Sequence, residues 1–498
     1  MVVVFITIFL MLFSRVMIVY LINKKKGFHT DGDAIGHLNY IKEIYNHQGR
    51  IQEKLKKYLL DYNDYPNGFH KIFYMFKIPL RFLEKFGGYL PILFDLCLLL
   101  FTILFIHLFG DDNYTWLLAF PFLRLFIANE GRSSHFSERA YGVLWGNIFL
   151  GSMVAYYISP DIIWFVISLI SFFIFSVSSK FSWQATFFTT LLLSIFEQSF
   201  FFISLYLISF ATSFLFSKGY SYAVLKGLIR HSIFYKEHLS KKCFGMANHY
   251  KNFFSIIGRT SMRQKTMLLM TNSVAKIISD NPLNIAIIFF IITQNEWSVF
   301  YSWSLAGMVL LLLISLEPLK FLGEPERYLE YSIIPVFVIL SENTLPYFIS
   351  SIIIIGLVSF YLLQCYLFIK SYRKKNAPTD DMQGLLDFFS SIQNQTILAL
   401  PLRTSFFLGY FTDTNKFVTL FSNVGKGELR QNYKELIPDF YPYPGKNLGE
   451  YISKYAINYI VAEKKRIQLL ENHLKEQYYT FDRYTIAYES DSYTVYKV

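Results

Sequence analysis

Two carboxylates separated by one glycine, Asp31 and Asp33, follow directly on the first membrane-length apolar run. They stand where a lipid-borne substrate would meet water. Carboxylates at that level can take a proton from an acceptor or help bind a divalent cation such as Mg or Mn. If the segment after Asp33 is helical, His37 lies four residues on and shares its face, which clusters a carboxylate and an imidazole at the membrane edge. The competing reading is an Asx-turn or N-cap, because Asp is favoured just before a helix. The same loop continues to Asp64-Tyr65-Pro66-Asn67-Gly68-Phe69-His70.

Two further polar stretches interrupt the apolar pattern. Asn129 to Gly142 carries Glu138 and Arg139 immediately before a predicted crossing. Ionisable groups at a helix mouth are often functional in membrane proteins, while a snorkelling Arg and an interfacial salt bridge explain the pair equally well. Gly323 to Tyr331 places Glu324, Glu326 and Glu330 around Arg327, next to Tyr328, and leads into a helix with Pro335. A solvated turn started by Pro325 accounts for the Glu and Pro residues but gives no reason for Arg327-Tyr328.

The elements that must position these groups follow from composition. The 498 residues are 53% hydrophobic, 19% aromatic and 17% charged, with a mean hydropathy of +0.33. This is a polytopic α-helical membrane protein, not a soluble enzyme. Met1 to Ile22 is long enough to cross the hydrocarbon core at about 1.5 Å per residue and ends at Lys24-Lys25-Lys26. It reads as an anchor and lacks the small-residue cleavage site of a secretory signal. Apolar runs near 89–109, 115–128, 142–158, 162–178, 181–216, 283–295, 297–316, 332–342 and 346–369 predict about 9–11 transmembrane helices, the 181–216 run being split at Glu197-Gln198 because a carboxylate at mid-membrane is costly. Cys97, Cys243 and Cys365 form neither a disulfide framework nor a metal-ligand spacing. No dinucleotide fingerprint, phosphate-binding glycine loop or nucleophile elbow is present, and no nucleic-acid partner is expected.

The predicted organisation is a transmembrane domain over 1–375, with a first loop at 24–88 and a basic loop at 218–282, and a small soluble α/β domain over 376–498. In the latter, Thr396 to Leu400 and Tyr459 to Val461 read as strands and Tyr484 to Val498 as a hairpin. An even number of crossings between 24 and 370 puts all the large loops and the C-terminal domain on one face. Eleven basic residues from Lys218 to Lys276 stand against Glu237 alone. The positive-inside rule would make that face cytoplasmic, but it is weak for long loops, and a basic surface equally suits anionic lipid or a lipid phosphate.

Taken in order, these features resemble the GT-C superfamily of integral membrane glycosyltransferases, which includes protein mannosyltransferases, the aminoarabinose transferases of lipid A and the catalytic subunit of oligosaccharyltransferase. The resemblance rests on Asp31 and Asp33 after an early anchor, Tyr65 to His70, Glu138-Arg139, Arg327-Tyr328 before Pro335, a C-terminal soluble domain, and Tyr451 to Val461 as its helix-to-strand segment. It implies transfer of a hexose or pentose from a polyprenyl-phosphate-linked donor to a lipid, glycan or protein acceptor on the outer membrane face, as in cell-envelope polysaccharide biosynthesis. It also implies Asp33 as base, Asp31 assisting or binding a cation together with Glu138, Glu138 orienting the acceptor, and His37, His70, Arg139, Arg327 and Tyr328 on the substrate, with Arg327 at the donor phosphate. Transfer develops positive charge on the sugar and negative charge on the leaving phosphate, so carboxylates should face the first and cations the second. A polysaccharide polymerase or a flippase of lipid-linked glycans would share the hydropathy and the basic loops without needing the terminal domain. A secondary transporter should show inverted repeats, which are not found.

Overall fold

The computed structural model describes residues 1–23, 32–49, 57–60, 65–127, 136–239, 249–254, 258, 261–293, 297–374, 380–420 and 427–498. The chain is mostly helical, 71%, with a small C-terminal sheet. The main helices of the apolar part are α1 (Val2–Asn23), α2 (Gly32–Asn46), α3 (Gly68–Met75), α4 (Leu90–Phe109), α5 (Arg139–Ile158), α6 (Ile162–Ser176), α7 (Lys180–Phe196), α8 (Phe201–Phe216), α9 (Tyr220–Phe234), α10 (Asn284–Thr293), α11 (Val299–Ile314), α12 (Ile333–Glu342) and α13 (Tyr347–Lys374). Among the described residues three segments are long and apolar enough to cross a membrane, Val2–Leu21, Leu80–Phe109 and Tyr347–Leu367. A fourth results if α8 and the helix after it are one span, but these are bent by 117°. The other apolar helices, α6, α10, α11 and α12 among them, are shorter.

The expected split of the 181–216 run is present: α7 ends at Phe196 and α8 begins at Phe201, and Glu197 at the turn accepts a hydrogen bond from Ser302. The 115–128 run, expected as a membrane helix, instead forms two 3₁₀ segments, Thr115–Phe122 and Arg124–Phe126, up to the last described residue, Ile127. Pro121 removes a backbone donor inside the first segment, and Leu123 is extended between the two. Arg124 then turns inward to a buried pairing with Asp280. Pro325 likewise opens a 3₁₀ segment, Pro325–Tyr331, which carries the third polar stretch. This segment reaches α5 closely because position 146 is glycine: a Cβ there would lie 2.4 Å from the Tyr331 ring.

The C-terminal sheet has the order β2-β1-β3-β5-β4, with β1 (Thr396–Leu400), β2 (Lys416–Phe417), β3 (Tyr459–Glu463), β4 (Thr485–Glu489) and β5 (Tyr493–Lys497). β1 runs parallel to β2 and β3, while β5 is antiparallel to both β3 and β4. The two expected strands and the terminal hairpin are thus in place. The first loop adds to this sheet at its β2 edge. Tyr58 bridges Phe417 in parallel, Phe417 N donates to Lys57 O at 2.8 Å, Leu59 N to Phe417 O at 3.0 Å and Leu60 N to Thr419 O at 3.2 Å.

Helix α2 seals the same junction. Ala34, Ile35, Leu38 and Ile41 lie on one helical stripe, and all are fully buried in a core shared with Leu385, Phe389, Leu408 and Val461 of the C-terminal segment. Burial of each Ile or Leu is worth about 1.5–3 kcal/mol, so the stripe fixes which residues of α2 face the membrane helices. Leu38→Ala would leave a void in that core at a cost of about 2–5 kcal/mol.

Candidate functional site

The start of α5 is where the first two polar stretches meet. Glu138 is the residue before α5, yet its carboxylate caps no backbone N–H of that helix. It faces the first loop instead. Its Oε1 accepts from the Tyr65 hydroxyl at 2.6 Å, and its Oε2 lies 2.8 Å from His37 Nε2. His37 Nδ1 is in turn 2.9 Å from His70 Nε2, with the two imidazoles stacked. The α2 stripe places His37, and α3 places His70. Gly68, at the start of α3, permits a hydrogen bond from its N to Val177 O at 2.8 Å, where a side chain would meet Ser178 Oγ at 2.6 Å.

The charges of this group follow from its surroundings. Burial opposes ionisation of Glu138, but His37, the Tyr65 hydroxyl and His70 outweigh it and hold the carboxyl well below its usual range. The N-terminus of α5 also favours an anion at this position. Burial, reinforced by His37 and offset only in part by Glu138, pushes His70 down to about 3, so it is neutral. Its contact with His37 is a hydrogen bond between His37 Nδ1 and His70 Nε2 whose donor is set by the tautomer. His70 Nδ1 is buried and without a hydrogen-bond partner.

Arg139, the first residue of α5, reaches the opposite way. Its guanidinium pairs with Glu330 and lies 3.7 Å from Glu324. Arg327 Nε is 3.0 Å from the same Glu324 oxygen, and its guanidinium stands 5.0 Å over the Phe181 ring. Tyr328 is fully buried; its hydroxyl contacts Gln184 and donates to Leu322 O at 3.2 Å. Behind this layer, buried Glu326 pairs with Lys276 and accepts from Ser273 at 3.1 Å.

The structure therefore brings together Glu138, His37 and His70, and sets Arg139, Arg327 and Tyr328 on the adjoining third stretch. Asp31 lies outside the described residues, as does Asn129 to His135 of the second stretch. Asp33 is in the first turn of α2, one turn before His37, and its side chain is outside the described part. Sequence reasoning quoted Tyr65 without assigning it a place in the site. It also passed over Lys180, whose Nζ lies 4.5 Å from the Tyr65 ring centroid and whose only signal was a cation at the mouth of an apolar run.

A divalent cation was expected on Asp31, Asp33 and Glu138. Among the described residues no group of three or more His, Cys, Asp or Glu side chains could hold a metal ion. Both Glu138 oxygens are engaged by Tyr65 and His37, so the described part of the site does not fit a metal, and the chemistry derived for it uses none.

No family model and no curated protein matches the sequence. The fold does match solved structures. The oligosaccharyltransferase of Archaeoglobus fulgidus in its apo form superposes with a TM-score of 0.54 at 10% identity, over 93% of this chain and 69% of its own. Two further structures from that organism are at 11% identity and 69% of their own length: one with an inhibitory peptide and a dolichol-phosphate (TM-score 0.48, 92% of this chain), and one tethered to an acceptor peptide (0.49, 91%). The first likeness establishes the architecture: this chain has the GT-C fold that the order of its motifs implied.

Proposed function

We propose that the protein is a membrane glycosyltransferase that moves a sugar from a polyprenyl-phosphate-linked donor to a lipid, glycan or protein acceptor at the outer membrane–water interface. The observation that carries this reading is the meeting of Glu138, Tyr65, His37 and His70 at the mouth of α5, in a chain with the fold of an oligosaccharyltransferase.

Glu138 is held by a phenol and an imidazole, not by an Arg or Lys, so much of its negative charge remains to act on its surroundings. Its side chain is 15% exposed, which leaves it open to a substrate. A carboxylate in this state stabilises the positive charge that develops on the sugar and orients the acceptor group. Asp33, one turn before His37 on the same helix face, is the base that removes the acceptor proton. The Glu138–His37 contact fixes that face against the membrane helices. Arg139, Arg327 and Tyr328 form the opposite wall and bind substrate through groups already oriented by Glu324 and Gln184.

The reading is tested by transfer from a polyprenyl-phosphate-linked sugar, using full-length protein in lipid vesicles. Asp33→Asn should abolish transfer while the variant inserts and elutes as wild type does; full activity removes Asp33 as the base. Full activity of Glu138→Gln overturns the assignment of the site itself. A compartment-sensitive reporter fused after Val498 should read extracytoplasmic, and a cytoplasmic signal contradicts transfer on the outer face.

A further inference from the structure

The first loop runs into the second long apolar segment through an edge that is both aromatic and cationic. After α3 the chain turns at Lys77, with φ 51°, and enters a short helix, Leu80–Phe86. A 3₁₀ turn, Gly87–Tyr89, joins that helix to α4, and together they make one apolar run of 30 residues, Leu80–Phe109. The 20 residues of α4 alone, at about 1.5 Å each, match a hydrocarbon core of about 30 Å. The turns that precede α4 therefore stand at the level of the lipid headgroups.

Their side chains suit that level. Phe76 is 73% exposed and Phe82 48%, and the Phe82 and Phe86 rings lie 5.0 Å apart, so aromatic surface is held outward. Lys77, Arg81 and Lys85 are exposed in the same stretch, and Lys85 Nζ is 5.2 Å from the Phe86 centroid. The one carboxylate between Gly68 and Leu90 is Glu84. It turns the other way and accepts from the Tyr410 hydroxyl, which leaves the outer edge positively charged. Leu83, one residue before it, is fully buried in the core that holds Leu38 and Leu408. The Tyr45 hydroxyl donates to Phe73 O at 2.9 Å, so the edge is fastened at both ends to α2, the helix that carries His37.

We propose that Lys77, Arg81 and Lys85, set among Phe76, Phe82 and Phe86, seat the first loop on the anionic phospholipid headgroups of the bilayer itself. Continuity and charge together identify the occupant. The edge is a direct extension of a span, so lipid is already its neighbour, and aromatic rings favour the boundary between acyl chains and headgroups. Lys and Arg stems lie along such apolar surface while their charged ends reach out, and basic residues beside a span attract anionic lipid. Because Leu83 and Glu84 face the core beneath α2, this seat fixes the height of the His37 platform over the membrane. It concerns the lipid surface and not the transferred sugar, and it stands independently of the glycosyltransfer reading.

Photo-cross-linking tests the seat, with full-length protein in nanodiscs of equal parts phosphatidylcholine and phosphatidylglycerol. A trace of either lipid carrying a photoactivatable headgroup is added, and the labelled peptides are mapped. Residues 75–89 should be labelled by the phosphatidylglycerol probe in clear preference to the phosphatidylcholine probe. Lys77→Gln, Arg81→Gln and Lys85→Gln should each lower that preference about fivefold, the weight of one basic residue at an anionic surface, and the triple variant should lose it. Arg81→Lys and Lys85→Arg should keep it, as should Lys465→Gln, which alters an exposed lysine of the C-terminal segment. Should a Gln variant fail to fold, the charge-conserving variants and the salt dependence of wild-type labelling decide, since a cationic seat must weaken with ionic strength. Equal labelling by the two probes, or a preference that salt leaves unchanged, overturns the anionic seat. Absence of label from residues 75–89 with both probes overturns contact with lipid altogether and points to a protein partner on this edge.

Discussion

Glu138 and Glu326 are both largely buried, ionised carboxylates, one at the start of α5 and the other in the Pro325–Tyr331 segment, yet they are held in opposite ways. Glu326 is paired with the ammonium of Lys276, and burial, which alone would neutralise it, is overcome by that lysine. Glu138 is held by a phenol and an imidazole. A carboxylate paired with a permanent cation forms a closed, nearly neutral unit that can only support structure. One held by groups that can themselves gain or lose a proton keeps a field directed outward and can respond to chemistry. The difference teaches that burial and ionisation do not by themselves mark a functional carboxylate; the identity of its partners does.

The sharpest way to break this contrast is to neutralise each carboxylate. Glu138→Gln should lower turnover by about 10²–10³-fold, the usual contribution of one preorganised electrostatic group, with a melting temperature near that of the wild type. Glu326→Gln should leave Lys276 buried without its counter-charge, a loss of about 3–5 kcal/mol of stability, with a smaller change in turnover of the protein that remains folded. Exchange of these two outcomes in thermal melts and transfer assays would show that the roles are reversed. Tyr65→Phe sharpens the contrast, because it removes one neutral donor from Glu138 and keeps the ring under Lys180. A hydrogen bond to a charged group is worth about 1.5–3 kcal/mol, so transfer should fall by roughly ten- to a hundredfold.

Acid should affect the two regions differently. The folded protein keeps His70 neutral down to about 3, whereas the unfolded chain takes up a proton below its ordinary value of 6.5. The penalty on folding is therefore absent above pH 6.5, grows as the pH falls through it, and is complete near 3. Glu138, held below its ordinary 4.5, adds stability that is lost as the pH drops past that value. Melting temperature should fall between pH 6.5 and 4.5, and His70→Gln should flatten that part of the curve; an unaltered slope would remove His70 as its source. The smallest effect belongs to the surface. Asp413 bridges Lys42 at 2.8 Å and Lys57 at 3.3 Å with its side chain 64% exposed, so Asp413→Asn should change stability by no more than about 1 kcal/mol in a denaturant titration.

Local patterns in the sequence carried the parts of the fold that are decided locally. The strand at Thr396–Leu400, the terminal hairpin and the break at Glu197-Gln198 each rest on a few consecutive residues, and the motif order implied the GT-C architecture. The Thr115–Phe126 segment was misjudged because hydropathy reports burial, not hydrogen-bond register, and Pro121 settles the latter. The site was legible as residue types only. His37, His70 and Glu138 could be named, but their contacts span 33 and 101 positions and depend on how α2 packs. The partners of Arg139 are equally remote, and no periodicity indicates which of the three glutamates in the third stretch it will choose. Lys180 beside Tyr65 carries no signal in the sequence, because one cation at the mouth of an apolar run looks like any solvated lysine.

The edge pairing of residues 57–60 with Phe417 and Thr419 sets a timetable for biosynthesis. At about 5–20 residues per second, the partner of the first loop leaves the ribosome roughly 20–70 s after the loop itself. Throughout that interval the newly made loop has an unsatisfied edge and an uncovered apolar helix stripe, both open to mispairing. A chain cut short before Phe417 would therefore have its apolar helices but no finished platform for His37. The arrangement of His37 and Glu138 would thus be completed only after residues 417–419 have been made, so a shorter nascent chain would not carry the finished site.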